Sequence, residues 1–218
     1  MDYKLLKDII DLLKEFKTEN DITHRFDVSV GGFKNWISFN NQHIDSEPDW
    51  EGKENGRSAE SVINTLIVHL NRYAKSYSKS AIFGSNFSTQ EDFTYLIKLK
   101  AFGEMSKMDL IKKNVHEKPT GMQIINRLIN QGWIEQRNSK TDKRSKVISI
   151  SETGLKALGN QMDKIRQATS IVTGNLSQNE KMELIRILNK LDNFHQPIYA
   201  RNIDTENLLE EAFKDFKK

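Results

Sequence analysis

The chain has 218 residues, of which 37% are hydrophobic and 29% are charged, so it can form one large domain or one ordinary domain with extensions. It contains no cysteine, which excludes disulfide bonds, thiolate catalysis and cysteine-ligated zinc. No segment approaches the roughly 18 apolar residues that a membrane-spanning helix needs. Because acidic residues interrupt the apolar pattern of the N-terminus, a signal peptide is not expected, and we predict a cytoplasmic protein.

The charges are distributed unevenly along the chain. Residues 1–55 carry 7 basic and 12 acidic side chains, whereas residues 104–150 carry 10 basic and 5 acidic side chains. An excess of positive charge in the middle of the chain predicts a polyanionic partner there. Charge alone leaves open the alternative of a solvated basic face.

The N-terminal half contains two segments with apolar residues at helical spacing. We predict an amphipathic helix over residues 2–17 and a helix of about seven turns over residues 57–83. Residues 18–56 have no such period and contain Gly31-Gly32, which is a turn signal, so we predict an irregular connection there. Its predicted aromatic anchors are Trp36, Phe39 and Trp50.

Capping signals mark the starts of several further helices. Ser88 with Glu91, and Ser177 with Glu180, have the spacing of capping boxes. Ser151 begins a helix with a heptad-like apolar seam over residues 155–172. Another amphipathic helix is predicted from Asp204 onwards.

The middle of the chain combines two short helices with a hairpin. We predict the helices over residues 106–114 and 118–131. Two strands are predicted at residues 133–137 and 146–150, and a basic turn joins them. This order of elements is typical of a winged helix-turn-helix, in which the second helix enters the major groove of DNA and the hairpin reaches the flanking minor groove.

Two stretches give the chain a resemblance to the MarR family of winged helix-turn-helix transcription regulators. The first is a helix that ends in Leu-x-x-x-Gly at Leu128 to Gly132, followed by a strand that ends at Arg137. The second is Asp-x-Arg-x-Lys at residues 142–146, followed by Ser-x-x-Gly at residues 151–154. The resemblance implies a dimeric regulator, a repressor responsive to a ligand, that binds a pseudo-palindromic site in double-stranded DNA.

The resemblance also implies which residues contact DNA. Arg144 would enter the minor groove, and Asp142 would orient it through a charge-assisted hydrogen bond. On the second short helix, Gln123 is suited to adenine and Arg127 to guanine or a phosphate. Gly121 departs from a regular helix start, because glycine disfavours helix there. The candidate DNA-binding residues are Ser106, Lys118, Thr120, Gln123, Arg127, Lys140, Asp142, Lys143, Arg144 and Lys146.

More apolar stripes are predicted than one small winged helix can bury. We therefore expect a homodimer, and an intramolecular helical bundle is the alternative. In the resembling family, a small anionic or aromatic effector binds between the dimerisation and DNA-binding regions. The candidate effector-binding residues are His69, Arg72, Tyr73 and Tyr77, for which ordinary core packing is the alternative.

These features predict a mainly α fold with a small β-hairpin, made of a winged helix-turn-helix domain and a helical dimerisation region. An N-terminal extension for dimerisation or partner contact is predicted over residues 1–55. A dimerisation helix and a support helix follow over residues 56–103. The DNA-binding lobe spans residues 104–152, and C-terminal dimerisation helices span residues 153–218.

The sequence gives little support to other functions. The five histidines have no partner at metal-binding spacing, and neither a phosphate-binding loop nor a nucleophile elbow is present, so we expect no metal, no cofactor and no enzyme. A second hypothesis is a winged-helix module that binds protein through the acidic residues 1–55 and does not bind DNA. RNA binding is a third, but the basic region lacks interleaved aromatic residues for base stacking.

Overall fold

The computed structural model describes residues 3–44, 48–139 and 145–217. The chain divides into two compact units, residues 1–63 and residues 64–218. The elements are α1 (Tyr3–Thr23), α2 (Val30–Ile44), α3 (Ala59–Ala81), α4 (Gln90–Phe102), α5 (Lys107–Lys113), α6 (Lys118–Asn130), β1 (Ile134–Asn138), β2 (Lys146–Ile150), α7 (Glu152–Val172), α8 (Gln178–Ala200) and α9 (Thr205–Phe216), with a 3-10 turn at Lys53–Asn55. The predicted class, mainly helical with one small hairpin, is confirmed.

The first unit contains a helix that the sequence analysis missed. Residues 30–44 form α2, so the predicted irregular connection over residues 18–56 is wrong for this part. Phe33 and Trp36 lie one helical turn apart and pack on Phe16 of α1, with ring centroids 5.5 and 5.6 Å away from the Phe16 ring. The indole N–H of Trp36 also donates to Glu19 (2.8 Å). The packing of these two aromatic rings, of which Trp36 is buried, outweighs the low helix propensity of Gly31-Gly32.

The core of the second unit lies where α4, α5, α6, α7 and the hairpin meet. Each of these elements contributes buried side chains, and Tyr95 and Leu96 of α4 are completely buried. The largest fully buried side chains among the described residues are Tyr95, Leu96, Leu99, Leu110, Ile111, Ile125, Leu128, Ile148, Leu158 and Asp92. A single core therefore connects both short helices to the strand pair and fixes their mutual geometry.

The two strands form an antiparallel hairpin. Ile134 pairs with Ile150, and Asn138 pairs with Lys146 at the far end. Met105 adds an isolated bridge to β2, since its N–H and C=O both bond to Ile148 (3.1 and 2.8 Å). A single residue cannot show a strand period, so this bridge left no signal in the sequence.

Most of the predicted helix starts are confirmed. The hydroxyls of Ser106, Ser151 and Ser177 each accept a hydrogen bond from the backbone three residues later. The capping box predicted at Ser88 is shifted by one residue, because Thr89 is the N-cap of α4 and Asp92 is its partner. Asp92 is fully buried, which favours this register over the one that would use Glu91.

The predicted apolar seam of α7 divides between two environments. Leu158 and Ile165 are buried in the core of the second unit, so they are used within one chain. Leu155 and Thr169 are exposed, whereas Met162 and Val172 are partly buried. The exposed part of the seam is available for a second chain.

Three long helices expose most of their apolar residues. In α3 only Ala81 is buried, in α8 only Ile198 is buried, and α9 buries no residue. Half-exposed side chains on these helices include Leu66, Leu70, Ile185, Leu188 and Phe213.

None of the helices among the described residues is long and apolar enough to cross a membrane.

Candidate nucleic-acid interface

The helix α6 separates an apolar face from a polar face. Ile124, Ile125 and Leu128 are buried in the core, whereas Lys118, Thr120 and Gln123 are exposed. Pro119 lies in the first turn, where a missing N–H costs no intrahelical bond. The fold thus presents the N-terminal polar face of α6 to solvent, as a helix that reads a major groove requires.

Gly121 allows α5 and α6 to approach each other closely. It is buried, and a Cβ atom at this position would lie within 3.0 Å of three side-chain atoms of Ile111. The sequence analysis treated this glycine as an unfavourable helix start. The structure gives its reason, because only a residue without a side chain lets α6 pack against Ile111 of α5.

Arg127 has an intramolecular partner. Its Nε donates to Asp92 Oδ1 (3.0 Å), its Nη2 also bonds to Asp92, and the side chain is 30% exposed. Asp92 additionally accepts hydrogen bonds from the backbone N–H groups of Ser88 and Thr89. The sequence analysis assigned Arg127 to guanine or a phosphate, but this geometry gives it the task of neutralising a buried carboxylate.

The turn between α5 and α6 is held by two tyrosines. The Tyr95 hydroxyl hydrogen-bonds to Nδ1 of His116 (2.9 Å), and the Tyr199 hydroxyl of α8 donates to the His116 carbonyl oxygen (2.7 Å). Burial, aided by the charge of Glu91, raises the pKa of the Tyr95 phenol, and burial also raises the pKa of Tyr199. Both phenols therefore stay protonated at neutral pH. These contacts fix the turn from which α6 begins.

The strands of the hairpin carry two of the basic residues, Arg137 and Lys146. Lys146 is exposed at the loop end of β2, and Arg137 is about half exposed but forms an ion pair with Glu104. The pairing continues past the strands, since the Ser139 N–H donates to the Ser145 carbonyl (2.9 Å). Four predicted contacts, Lys140, Asp142, Lys143 and Arg144, lie outside the described residues.

The predicted DNA contact Ser106 is already used within the chain. It caps α5, and its hydroxyl donates to the Asp109 carboxylate (2.7 Å).

The four predicted effector-binding residues, His69, Arg72, Tyr73 and Tyr77, are all exposed on α3. The interpretation of Tyr73 and Tyr77 as core residues of a single chain does not hold, since they are 57% and 39% exposed.

Behind the hairpin lies a contact that the capping signal of Ser151 did not predict. The hydroxyls of Ser151 and Thr153 both donate to the Gly132 carbonyl (2.6 and 2.5 Å), which joins the start of α7 to the end of α6. Gly154 lies against the Trp133 carbonyl, where a Cβ atom would collide with the oxygen. The Ser-x-x-Gly motif therefore fastens α7 to the base of the hairpin.

Two short helices with an exposed polar face on the second, followed by a hairpin, define a winged helix-turn-helix of the kind found in transcription regulators. Residues 88–145 match the model of the MarR family. The matched segment comprises α4, α5, α6 and β1, so this part of the winged helix is similar to the MarR family. No curated protein matches the chain.

Solved structures resemble the chain at low sequence identity, so the likeness concerns the fold. BpsR of Bordetella bronchiseptica, whose DNA binding is regulated by 6-hydroxynicotinic acid, is 18% identical with a TM-score of 0.56, over 67% of this chain and 98% of BpsR. A mutant of MarR from E. coli complexed with operator DNA is 18% identical with a TM-score of 0.54, over 59% and 92%. The organohalide-sensing regulator RdhR-CbdbA1625, bound to 2,4-dichlorophenol, is 19% identical with a TM-score of 0.59, over 71% and 90%.

Proposed function

We propose that the protein is a dimeric transcription repressor that reads a pseudo-palindromic operator in double-stranded DNA. The observation that carries the proposal is the exposed polar face of α6, with Lys118, Thr120 and Gln123, on the same winged helix as a basic hairpin. Gln123 hydrogen-bonds to adenine in the major groove, and Lys118 binds phosphate. Arg127 is left out of the DNA contacts, because its guanidinium is bound to Asp92.

The exposed apolar faces of α3, α8 and α9 support dimerisation. Each of these helices leaves large apolar side chains about half exposed, which is costly for a single chain in water. The alternative of a bundle within one chain is not favoured, because those faces have no cover among the described residues of the second unit. A two-fold dimer covers them and places two α6 helices about one turn of DNA apart.

The repressor is also proposed to respond to a small molecule. BpsR is regulated by 6-hydroxynicotinic acid and RdhR-CbdbA1625 binds 2,4-dichlorophenol, so winged helices of this fold accept small effectors. The four α3 residues His69, Arg72, Tyr73 and Tyr77 remain the predicted effector residues. These residues are exposed in a single chain. A pocket that holds an effector at them is therefore completed by the surface of the partner chain in the dimer.

Replacement of Arg144 by alanine is expected to weaken operator binding by about 5- to 150-fold, which corresponds to about 1–3 kcal/mol for a good groove contact. The physical reason is loss of the cation that enters the negative minor groove. Fluorescence anisotropy on an operator selected from random duplexes measures the effect. Arg166→Ala, which removes an arginine from the exposed side of α7, is the control and should bind like the wild type. Equal affinities of all three proteins would exclude this role of Arg144.

Light scattering is expected to give a mass of about twice the 25.3 kDa of one chain. Ile185→Glu, which puts a charge into the apolar face of α8, should shift the mass towards the monomer because the charge loses its water on association. Lys190→Glu changes the polar face of the same helix and should leave the dimer intact. A monomeric wild-type protein at micromolar concentration contradicts the dimer.

A further inference from the structure

We propose that a cavity between the helix-turn-helix and the α8–α9 corner binds an aliphatic monocarboxylate. The cavity has a volume of about 540 Å³, within the range of small-molecule sites. Its walls are α5, the turn after it, the first residues of α6, the end of α8 and the start of α9. The proposed effect on DNA rests on the proposed function, whereas the binding itself does not.

The lining explains why the ligand has an aliphatic body. Ile111 and Ile198 are buried, and Met108, Ile203 and Leu208 complete the apolar part of the wall. Tyr199 is the single carbocyclic aromatic side chain of the lining, and its hydroxyl is engaged by the His116 carbonyl. Branched aliphatic walls fit a flexible alkyl chain, and each methylene buried there strengthens binding by about fourfold.

The charges explain why the ligand is a monoanion. Lys112 and Lys118 line the cavity and are exposed, and the described residues include no hydrogen-bond or ion-pair partner of either ammonium group. Lysine ammonium groups beside an apolar wall suit a carboxylate head group. Glu117 and Asp204 also line the cavity and match the two lysines in charge, which disfavours a ligand with several negative charges.

The position of the cavity connects its ligand to DNA binding. Lys118 is the first residue of α6 and also lines the cavity, so a carboxylate bound there reduces the positive charge that α6 offers to phosphates. The His116 turn, which Tyr199 holds from α8, forms part of the same wall. An occupied cavity is therefore expected to lower operator affinity.

This site is separate from the four α3 residues, because none of them lines the cavity. It also depends on α9, which lies outside the segment matched by the MarR family model. The cavity therefore uses a C-terminal helix that the winged helix itself does not supply.

Isothermal titration of the full-length protein with octanoate tests the site. We expect saturable binding, about 15-fold weaker binding of hexanoate, and little or no binding of octylammonium. Lys112→Gln should weaken octanoate binding by about fivefold, and the matched change Lys164→Gln on the exposed side of α7 should not. Leu208→Ser should also weaken it, whereas Leu209→Ser, at an 84% exposed neighbour outside the lining, should not.

The absence of saturable octanoate binding would overturn the proposal, as would binding that is unchanged in both Lys112→Gln and Leu208→Ser. Operator affinity is measured in parallel by fluorescence anisotropy with and without octanoate. Octanoate binding with unchanged operator affinity contradicts the regulatory effect. Failure to bind DNA without octanoate instead contradicts the proposed function and leaves the test of the cavity intact.

Discussion

Asp92→Ala is expected to lower the free energy of unfolding by about 3 kcal/mol, since breaking one side of a buried ion pair is among the most costly single substitutions. The carboxylate of Asp92 is fully buried and accepts hydrogen bonds from two backbone N–H groups at the start of α4 as well as from Arg127. Its removal leaves those donors without their partner and deletes the capping box. Thermal unfolding followed by circular dichroism should show a midpoint about 10 °C lower.

The control for Asp92→Ala is the exposed ion pair between Asp163 and Arg166 of α7. Asp163→Ala should leave the unfolding midpoint unchanged, because a solvent-exposed pair contributes little. In a double-mutant cycle, adding Arg127→Ala to Asp92→Ala should cost much less than Arg127→Ala alone. If Asp92→Ala lowers the unfolding midpoint as little as Asp163→Ala does, the ion pair does not stabilise the fold. Arg127 would then again be a candidate for DNA contact.

Gly121→Ala is expected to destabilise the protein by about 1–3 kcal/mol, the usual cost of forcing an extra carbon into a packed site. Helix propensity alone predicts the opposite, since alanine is favoured over glycine in a helix by about 1 kcal/mol. The clash decides the sign, because the new Cβ would meet Ile111 near the base of its side chain, where a rotamer change gives little relief. Chemical denaturation monitored by tryptophan fluorescence measures the difference.

Gly159→Ala is the matched control for Gly121→Ala. Gly159 lies on the exposed side of α7, and a Cβ atom there has open space around it. This substitution should stabilise the protein by about 0.5–1 kcal/mol through helix propensity. If both substitutions stabilise the protein, α5 and α6 do not pack as closely as described here.

The helix-turn-helix could be predicted because its signals are local. Ser106 caps α5, Pro119 lies in the first turn of α6, and Gly132 adopts the left-handed conformation after the helix end. Each signal acts within a few residues of its own position. The order of the elements was then sufficient to indicate a winged helix.

The features that the sequence did not predict depend on distant partners. Arg127 meets Asp92 across 35 positions, and Tyr199 meets His116 across 83 positions. No periodicity or spacing rule reaches that far in a single sequence. The same applies to α2, because its Phe33 and Trp36 pack on Phe16 of α1, which is distant in sequence.

We propose that two copies of α6 and the hairpin read one DNA site. Selection of bound duplexes from a random library, followed by sequencing, tests it most directly. We expect enrichment of a palindrome with half-site centres about ten base pairs apart, and affinity for it that falls steeply as salt is raised. A library that stays random at low salt, or enrichment of a single asymmetric half-site, would contradict the claim.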